Sequence, residues 1–291
     1  MSHIPVLLNE AMEILKPRKG EFFIDATFGR GGHSEKILEA IGKTGALLAI
    51  DWDEKAKERN SKLLENKNVI FVNSNYAKVK DILKEKNLPK ADGLLLDLGF
   101  SSDQLEESGK GFSFKKDEPL IMSYGEDGLT AGEVINSYPQ EKLEEIIRNL
   151  GEERFAGRIA RNIVESRNAI PIETSFQLAE IIRKAVPGGY ERGRIDPATR
   201  TFQALRIYVN GELENLKTVL GDLGVILKSG GRAAIISFHS LEDRIVKNYF
   251  RDLKKSDKAE LLNKKIITAS REEATANPRS RSAKLRGIIL K

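Results

Sequence analysis

The sequence contains no cysteine, only three histidines, and no apolar run near the roughly 20 residues that span a bilayer. Without cysteine there are no disulfides, thiolate metal sites or cysteine nucleophiles. His3, His33 and His239 are the only imidazoles, which disfavours a histidine-rich metal site, and no metal is predicted. Residues 1–17 lack the basic and then apolar layout of a signal peptide. We therefore expect a cytoplasmic protein without a membrane partner.

The composition is that of a folded protein with a small excess of positive charge. Of the 291 residues, 40% are hydrophobic and 31% are charged, which provides enough apolar surface for a sizeable core. The length suits one large domain or a core domain with an insert. The net charge of +5 is compatible with a nucleic-acid partner, and equally with a lysine-rich solvated surface.

Strand-like and helix-like segments alternate four times in the first part of the chain. Each short apolar run ends at a turn and is followed by an amphipathic or charged segment. The four predicted strands are 22–27, 46–50, 69–72 and 93–98. This alternation predicts a parallel sheet with helices on both faces and right-handed crossovers.

The alternation is interrupted by a long segment, residues 106–210, with amphipathic helical patterns and no convincing buried strand. The apolar run 233–236 and a last strand at 287–290 then continue the sheet. We therefore predict a discontinuous α/β domain with a Rossmann-like sheet, residues 1–105 and 211–291, and an inserted all-helical domain for substrate recognition. Two polar segments, 251–265 and 270–282, fit either mobile chain or a solvated helix face.

A glycine-rich turn follows the first predicted strand. Residues 25–33 read D-A-T-F-G-R-G-G-H, where the strand passes into a helix. Glycine lets the backbone approach a ligand closely, and a helix N-terminus offers free N–H groups. The loop departs from the G-x-G-x-x-G of dinucleotide-binding proteins and by itself fits NAD or S-adenosylmethionine. No histidine is convincingly placed for hydride transfer, which favours S-adenosylmethionine.

Asp51 ends the second predicted strand, about 20 residues after the glycine-rich turn. An acid at this place can accept hydrogen bonds from both ribose hydroxyls of a nucleoside cofactor. The alternative is that Asp51 caps the next helix, although Asp53 is also available for that. We expect Asp51 to bind ribose.

Seven blocks of sequence are specific enough to indicate a family. They are H-I-P-V-L-L-N-E (3–10), D-A-T-F-G-R-G-G-H (25–33), L-L-D-L-G-F-S-S (95–102), G-E-E-R-F-A-G-R-I-A-R (151–161), P-A-T-R-T-F-Q-A-L-R-I-Y-V-N (197–210), S-F-H-S-L-E-D-R (237–244) and N-P-R-S-R-S-A-K-L-R (277–286). In this order they resemble the RsmH (MraW) family of bacterial 16S ribosomal RNA methyltransferases over essentially the whole chain. The resemblance implies S-adenosylmethionine-dependent N4-methylation of a cytidine in the decoding region of 16S rRNA, within the small ribosomal subunit.

The resemblance also implies a set of cofactor contacts. They fall on Gly31, Gly32, His33, Asp51, Tyr76, Asp97 and Gln104. The family more often has phenylalanine where Tyr76 stands, and a tyrosine ring can still pack on adenine. The stretch 117–125 and Asp196 depart from the family pattern, which affects the expected substrate contacts of the insert and leaves the cofactor fold unaffected.

Asp97, Phe100 and His239 are the predicted catalytic residues. D-L-G-F has the spacing of the [DNS]-P-P-[YF] motif of other amino-methyltransferases, in which the first residue accepts a hydrogen bond from the target amine. By analogy Asp97 orients the amine or the cofactor, and Phe100 either stacks on cytosine or is a packing ring. His239 follows the fifth predicted strand and either takes the departing proton, holds RNA, or makes a structural hydrogen bond.

Seven arginines are predicted to bind RNA phosphate, since clustered cations neutralise backbone charge. They are Arg158, Arg161, Arg200, Arg206, Arg279, Arg281 and Arg286. The alternatives to this activity are a methyltransferase for another RNA or a small molecule, and a non-enzymatic RNA-binding module. The helical insert and the basic C-terminal segment favour a large anionic substrate.

Overall fold

The computed structural model describes residues 4–99, 109–125, 128–190 and 195–291. The chain forms two compact units, Met1–Gly99 with Leu213–Lys291, and Phe100–Glu212. In the described ranges no helix has both the length and the apolar character that crossing a membrane requires.

The first unit is built on a seven-stranded sheet. Its strands are β1 (Phe22–Asp25), β2 (Ala46–Asp51), β3 (Val69–Asn73), β4 (Ala91–Asp97), β5 (Leu227–Ser237), β6 (Ala259–Leu261) and β7 (Lys284–Leu290). Their order across the sheet is β3-β2-β1-β4-β5-β7-β6. The first five strands are parallel, and β7 is antiparallel to both of its neighbours. The predicted Rossmann-like α/β sheet is confirmed.

Helices on both faces of this sheet explain why its strands are continuous apolar runs. Before the second unit these helices are α1 (Leu8–Leu15), α2 (Gly32–Ile41), α3 (Lys55–Arg59), α4 (Ser61–Leu64) and α5 (Val79–Glu85). Along β4, Leu94 and Leu96 belong to one buried cluster together with Ile82 of α5. Leu95 belongs to a second cluster together with Ile37 of α2. Successive side chains of a strand face opposite sides, so a sheet covered on both faces needs apolar residues at every position.

In the described residues of the second unit, the regular secondary structure is mainly helical. They are α6 (Ala131–Ser137), α7 (Gln140–Gly151), α8 (Ala156–Ala169), α9 (Ser175–Ala185) and α10 (Ala198–Asn210). Thr130 and Thr174 begin α6 and α9 with capping boxes, in which each hydroxyl accepts a backbone N–H three residues on. The unit has its own buried apolar cluster, to which Leu143, Ile159 and Leu178 contribute. The substrate-recognition role of this unit stays a prediction.

The chain after the second unit returns to the sheet with four further helices. They are α11 (Glu212–Gly221), α12 (Leu223–Ile226), α13 (Ser240–Lys255) and α14 (Arg271–Ala276). The two polar C-terminal segments are regular structure for much of their length, because α13 extends to Lys255 and β6 pairs with β7. A 3-10 turn, Pro278–Ser282, follows α14.

Candidate cofactor and active site

The glycine-rich loop between β1 and α2 is held in place by two hydrogen bonds at Gly29. Its N–H donates to Asp51 Oδ2 at 2.5 Å, and its carbonyl accepts from the Asn60 side chain at 2.9 Å. The next loop glycine, Gly31, has φ +73°, and a Cβ there would lie 2.7 Å from Asn60 Oδ1. A side chain at this position would therefore strain the backbone and collide with the residue that holds the loop.

Asp51, at the carboxyl end of β2, keeps acceptor capacity for a ligand. Its Oδ1 accepts the Asp53 N–H at 2.8 Å, and its Oδ2 accepts the Gly29 N–H. A carboxylate has about four acceptor positions, so two remain for hydroxyl groups. Burial raises the pKa of Asp51, and the two backbone N–H groups oppose that rise. The alternative for Asp51 was to cap the next helix. At the start of α3, the Asp53 carboxylate accepts the Lys55 N–H at 3.0 Å.

Asp97 ends β4 beside the loop. Its N–H donates to Thr27 Oγ1 at 2.6 Å, and its Oδ1 accepts the Gly99 N–H at 3.1 Å. Burial raises the pKa of Asp97 to about 7, the Gly99 N–H opposes this, and the Glu242 carboxylate adds to it. Near neutral pH Asp97 is therefore present in both protonation states. Its ionised form is a hydrogen-bond acceptor with 19% of the side chain exposed.

His33, in the first turn of α2, lies behind Asp97. Its Nε2 is 3.0 Å from the Val6 carbonyl oxygen, which makes Nε2 the protonated nitrogen and Nδ1 the acceptor. Nδ1 is 4.0 Å from Asp97 Oδ2. Burial lowers the pKa of His33, and the Asp25 carboxylate opposes this. His33 is 7% exposed, and its predicted contact with the cofactor stays a prediction.

Asp25 is a buried acid of this site that the sequence analysis missed. Ser34 Oγ donates to its Oδ2 at 2.7 Å, and the Thr27 N–H donates to its Oδ1 at 3.2 Å. Burial raises the pKa of Asp25 to about 6, against the effect of the Ser34 hydroxyl. An apolar strand that ends on an acid was the signal that could have identified it. Thr27 and Asn60, which position Asp97 and the loop, have no comparable signal.

Tyr76 begins a short 3-10 turn, Tyr76–Lys78, directly after β3. Its ring is half-buried and packs against the sheet core. The carboxyl ends of parallel neighbours meet at one edge, so Tyr76 and Asp51 belong to the same edge of the sheet. Phe100 and Gln104 lie outside the described residues.

The residues of this edge fit an adenosyl cofactor that carries a positive charge. Asp51 offers free acceptor positions for ribose hydroxyls, and the glycine loop allows close approach of the backbone. Asp25 adds a buried carboxyl beside the loop, and Asp97 adds a half-buried one. A cationic sulfonium or amino group is favoured next to such carboxylates.

Comparison with known proteins identifies the family. The model of the MraW methylase family matches residues 1–290. The chain belongs to this family. Several relatives carry the name ribosomal RNA small subunit methyltransferase H, and two of them show the extent of the similarity. The one from Syntrophotalea carbinolica is 45% identical over 304 residues, covering 98% of this chain and 97% of the relative. The one from Caldicellulosiruptor bescii is 46% identical over 301 residues, with coverage of 98% and 97%.

The family assignment makes the protein a methyltransferase with S-adenosylmethionine as its cofactor, and the predicted family and cofactor are confirmed. Among solved structures, an rRNA methylase from Streptococcus thermophilus is 10% identical. The match covers 97% of this chain and 93% of that one, with a TM-score of 0.41. At this level the likeness carries no inference about function.

His239 of the methylase makes a structural hydrogen bond at the start of α13. Its Nδ1 accepts the Glu242 N–H at 3.4 Å, as part of a capping box. Its Nε2 is 3.1 Å from Glu242 Oε1, but the geometry is not that of a hydrogen bond, and this buried nitrogen has no hydrogen-bond partner among the described residues. The structural alternative is therefore observed, and the catalytic role of His239 stays a prediction.

Two of the seven predicted RNA-binding arginines are held in ion pairs of the methylase itself. Arg206 bonds both carboxylate oxygens of Glu212, at 2.8 and 2.9 Å. Arg286 bonds both oxygens of Asp243, at 2.7 and 3.2 Å. Their charges are compensated within the protein, so the geometry adds no support for phosphate binding at these two positions.

Of the other five arginines, three belong to the second unit and two to the first. Arg200 and Arg281 each donate to a backbone carbonyl, of Glu152 at 2.8 Å and of Ala274 at 3.0 Å. Arg279 lies in the 3-10 turn after α14. Two more are exposed on α8, namely Arg158 and Arg161. Phosphate binding by all seven stays a prediction.

Proposed function

We propose that this methylase transfers a methyl group from S-adenosylmethionine to N4 of a cytidine in the decoding region of 16S rRNA, within the small ribosomal subunit. The name shared by relatives of 45% and 46% identity supports small-subunit ribosomal RNA as the substrate class. The sequence resemblance supports the N4 atom and the decoding region. The carboxyl of Asp97 beside the cofactor loop is the observation that carries the chemistry.

In this proposal Asp97 activates the weakly nucleophilic amine of cytosine. The exocyclic amine of cytosine is a poor nucleophile because its lone pair is delocalised into the ring. An ionised carboxylate that accepts a hydrogen bond from the amine restores part of that lone pair. The sulfonium donor is already activated, so the remaining task of the protein is to align nitrogen, methyl carbon and sulfur, which can supply roughly 7–11 kcal/mol of the barrier. The methylated amine is acidic, and Asp97 or water can take its proton.

The two units divide these tasks in the proposal. The first unit holds the cofactor with the loop at Gly29–Gly32, Asp51 and Asp97. The second unit recognises the RNA, and its exposed Arg158 and Arg161 are suited to phosphate contacts.

The proposal is tested by mapping the methyl group. The protein is incubated with labelled cofactor and 30S particles that lack the modification, and the label is located by nuclease digestion and mass spectrometry. We expect label on N4 of a cytidine in the decoding region. Label on a guanine or on protein rejects the substrate, and transfer only to another RNA or a small molecule supports those alternatives.

Titration calorimetry with S-adenosylmethionine tests the enzyme assignment separately. We expect one binding site per chain, weakened by Asp51→Ala. No heat of binding with the unmodified protein favours an RNA-binding module without activity.

A further inference from the structure

Arg154 lies in a corner between two aromatic rings of the second unit. Its guanidinium carbon is 4.9 Å from the ring centroid of Phe155 and 4.9 Å from that of Tyr190. The two rings meet edge to face, with centroids 5.2 Å apart and an interplanar angle of 83°. The guanidinium of Arg158 lies 5.9 Å from the Phe155 centroid. Two guanidinium groups therefore share one ring.

A single buried carboxylate holds this corner in place. Glu153 is 1% exposed, and the Tyr190 hydroxyl donates to it, with distances of 2.9 and 2.8 Å to its two oxygens. The Phe155 N–H donates to Glu153 Oε1 at 2.8 Å. Both aromatic residues are thus fixed by the same group, and Arg154 rests on a prearranged surface.

Within the described part of the chain, neither Arg154 nor Arg158 forms an ion pair with an acidic side chain. Both side chains are exposed, and their interactions with described residues are the contacts with aromatic rings. Other arginines of the same unit differ in this respect. Arg148 pairs with Glu144, and Arg183 pairs with Asp196.

We propose that Arg154 and Arg158 form a binding site for the phosphate backbone of the RNA substrate. The proposal rests on the proposed function, and it adds a specific site that includes Arg154, which the sequence analysis did not select. Two guanidinium groups over one ring repel each other, and a phosphate between them relieves that repulsion. Stacking orients the flat guanidinium and leaves its N–H groups for a phosphate, which it can bind in a bidentate manner.

The surroundings favour a polyanion over a single small anion. Arg161 follows Arg158 by three residues on α8, so both lie on one face of the helix. Arg154 lies in the turn just before α8, and its guanidinium contacts the same Phe155 ring as that of Arg158, so it adds a further cation beside Arg158. A nucleic-acid backbone presents its charges in series and can engage several of them.

The test compares Arg154→Ala with the matched variant Arg148→Ala. Both remove one exposed arginine of the second unit, but Arg148 already has an acidic partner. Affinity for 30S particles lacking the modification is measured over a range of salt concentrations, together with KM, kcat and cofactor affinity. For Arg154→Ala we expect about a tenfold rise in Kd and KM for the particle. We also expect a salt slope shallower by about 0.7 to 1, with kcat and cofactor affinity unchanged.

Arg154→Lys separates charge from shape, because lysine keeps the charge but not the flat, bidentate group. We expect it to keep the salt slope and to lose most of the affinity that Arg154→Ala loses. If Arg154→Ala binds and responds to salt as Arg148→Ala does, the site is refuted.

Failure of the proposed function has a different signature. In that case the unmodified protein places no methyl group on N4 of a decoding-region cytidine of the particle. Binding of an unrelated structured RNA then still reports on the phosphate site, because backbone contacts do not depend on sequence. If Arg154→Ala loses that RNA binding and Arg148→Ala does not, the phosphate site is supported even though the substrate assignment is wrong.

Discussion

Nδ1 of His33 lies 4.0 Å from Oδ2 of Asp97, while Nε2 of the same ring bonds the carbonyl oxygen of Val6 at 3.0 Å. The bond to Val6 fixes the proton on Nε2, so the lone pair of Nδ1 faces Asp97. Burial lowers the pKa of His33 and raises the pKa of Asp97 to about 7. Asp97 therefore changes its protonation state near neutral pH beside a neutral imidazole.

Turnover is expected to rise with pH through about 7. The pKa of Asp97 is raised from 3.8 to about 7, so the ionised form, which can accept a hydrogen bond from the target amine, predominates only above that value. Methylation is measured as kcat/KM for the cofactor between about pH 6 and pH 8, because this ratio reports ionisation of the free enzyme, to which the pKa of about 7 belongs. Cofactor affinity over the same range is the control. A flat profile means that ionisation of Asp97 does not limit the reaction.

Asp97→Asn is expected to lower turnover by about 10²–10⁴-fold and to change the pH dependence of stability. Since the pKa of Asp97 is raised in the folded state, the fold loses stability as pH rises from about 4 to about 7, where the unfolded chain releases this proton and the folded chain keeps it. We therefore compare the free energy of unfolding of the asparagine variant with that of the unmodified protein. The difference, variant minus unmodified, should be about 2 kcal/mol more positive at pH 8 than at pH 5.5. Urea unfolding of both proteins at the two pH values measures this. An equal difference at both values contradicts it.

Asp51→Asn is expected to weaken S-adenosylmethionine binding by at least about tenfold, since it alters the acceptor for ribose and the tie to Gly29. Asp53→Asn is the matched control. Asp53 bonds the Lys55 N–H and Arg59, so its loss affects the start of α3 and leaves the Gly29 bond in place. Titration calorimetry of both variants checks the difference. Equal weakening in both would assign the effect to local charge.

Gly31→Ala is expected to impair cofactor binding and to destabilise the protein by about 1–3 kcal/mol. Gly31 has φ +73°, and a Cβ would lie 2.7 Å from Asn60 Oδ1. Gly188→Ala serves as the control, because a Cβ there meets nothing within 4 Å and its φ is not in the left-handed region. Thermal unfolding with and without cofactor measures both effects. A Gly31→Ala protein that behaves like the control would show that the loop tolerates a side chain.

Much of the sheet could be predicted because its signals are local. The run 46–50 is apolar at every position since both faces of β2 are covered, and Asp51 follows it directly. The charged segment 54–65 between β2 and β3 has the pattern of a single helix, but it forms α3 and α4, divided at Asn60. The Asn60 side chain bonds the carbonyls of Ala56 and Gly29 there. The contact with Gly29 is tertiary, and no pattern within the segment reveals it.

The less predictable features depend on partners distant in sequence. Strand β6 has only three residues, and it exists because it pairs with β7. Arg286 looked available for RNA, but Asp243, 43 residues away, bonds it in the folded chain. The corner at Arg154 requires Tyr190, a residue of a different segment. Residue type shows which contacts a side chain can make, and the fold determines which of those contacts are already made within the protein.

Tyr190→Phe tests whether the buried carboxylate of Glu153 depends on its hydroxyl partner. Without that hydroxyl, the Phe155 N–H is the remaining hydrogen-bond donor to the carboxylate of Glu153 among the described residues. We expect a loss of about 1–3 kcal/mol in the free energy of unfolding, because a buried charged acceptor is left undersatisfied. Tyr138→Phe is the control and should cost less than about 0.5 kcal/mol, since its hydroxyl is 3.4 Å from that of Tyr208 at a partly exposed site.

The same change in a Glu153→Gln background separates the hydrogen bond from ring packing. A neutral amide is less costly to leave undersatisfied than a carboxylate, so Tyr190→Phe should cost less there than in the unmodified protein. Urea unfolding of the two single variants and the double variant gives the coupling free energy. A coupling near zero would mean that the hydroxyl and the carboxylate contribute independently, and that Tyr190 is held in the corner by packing alone.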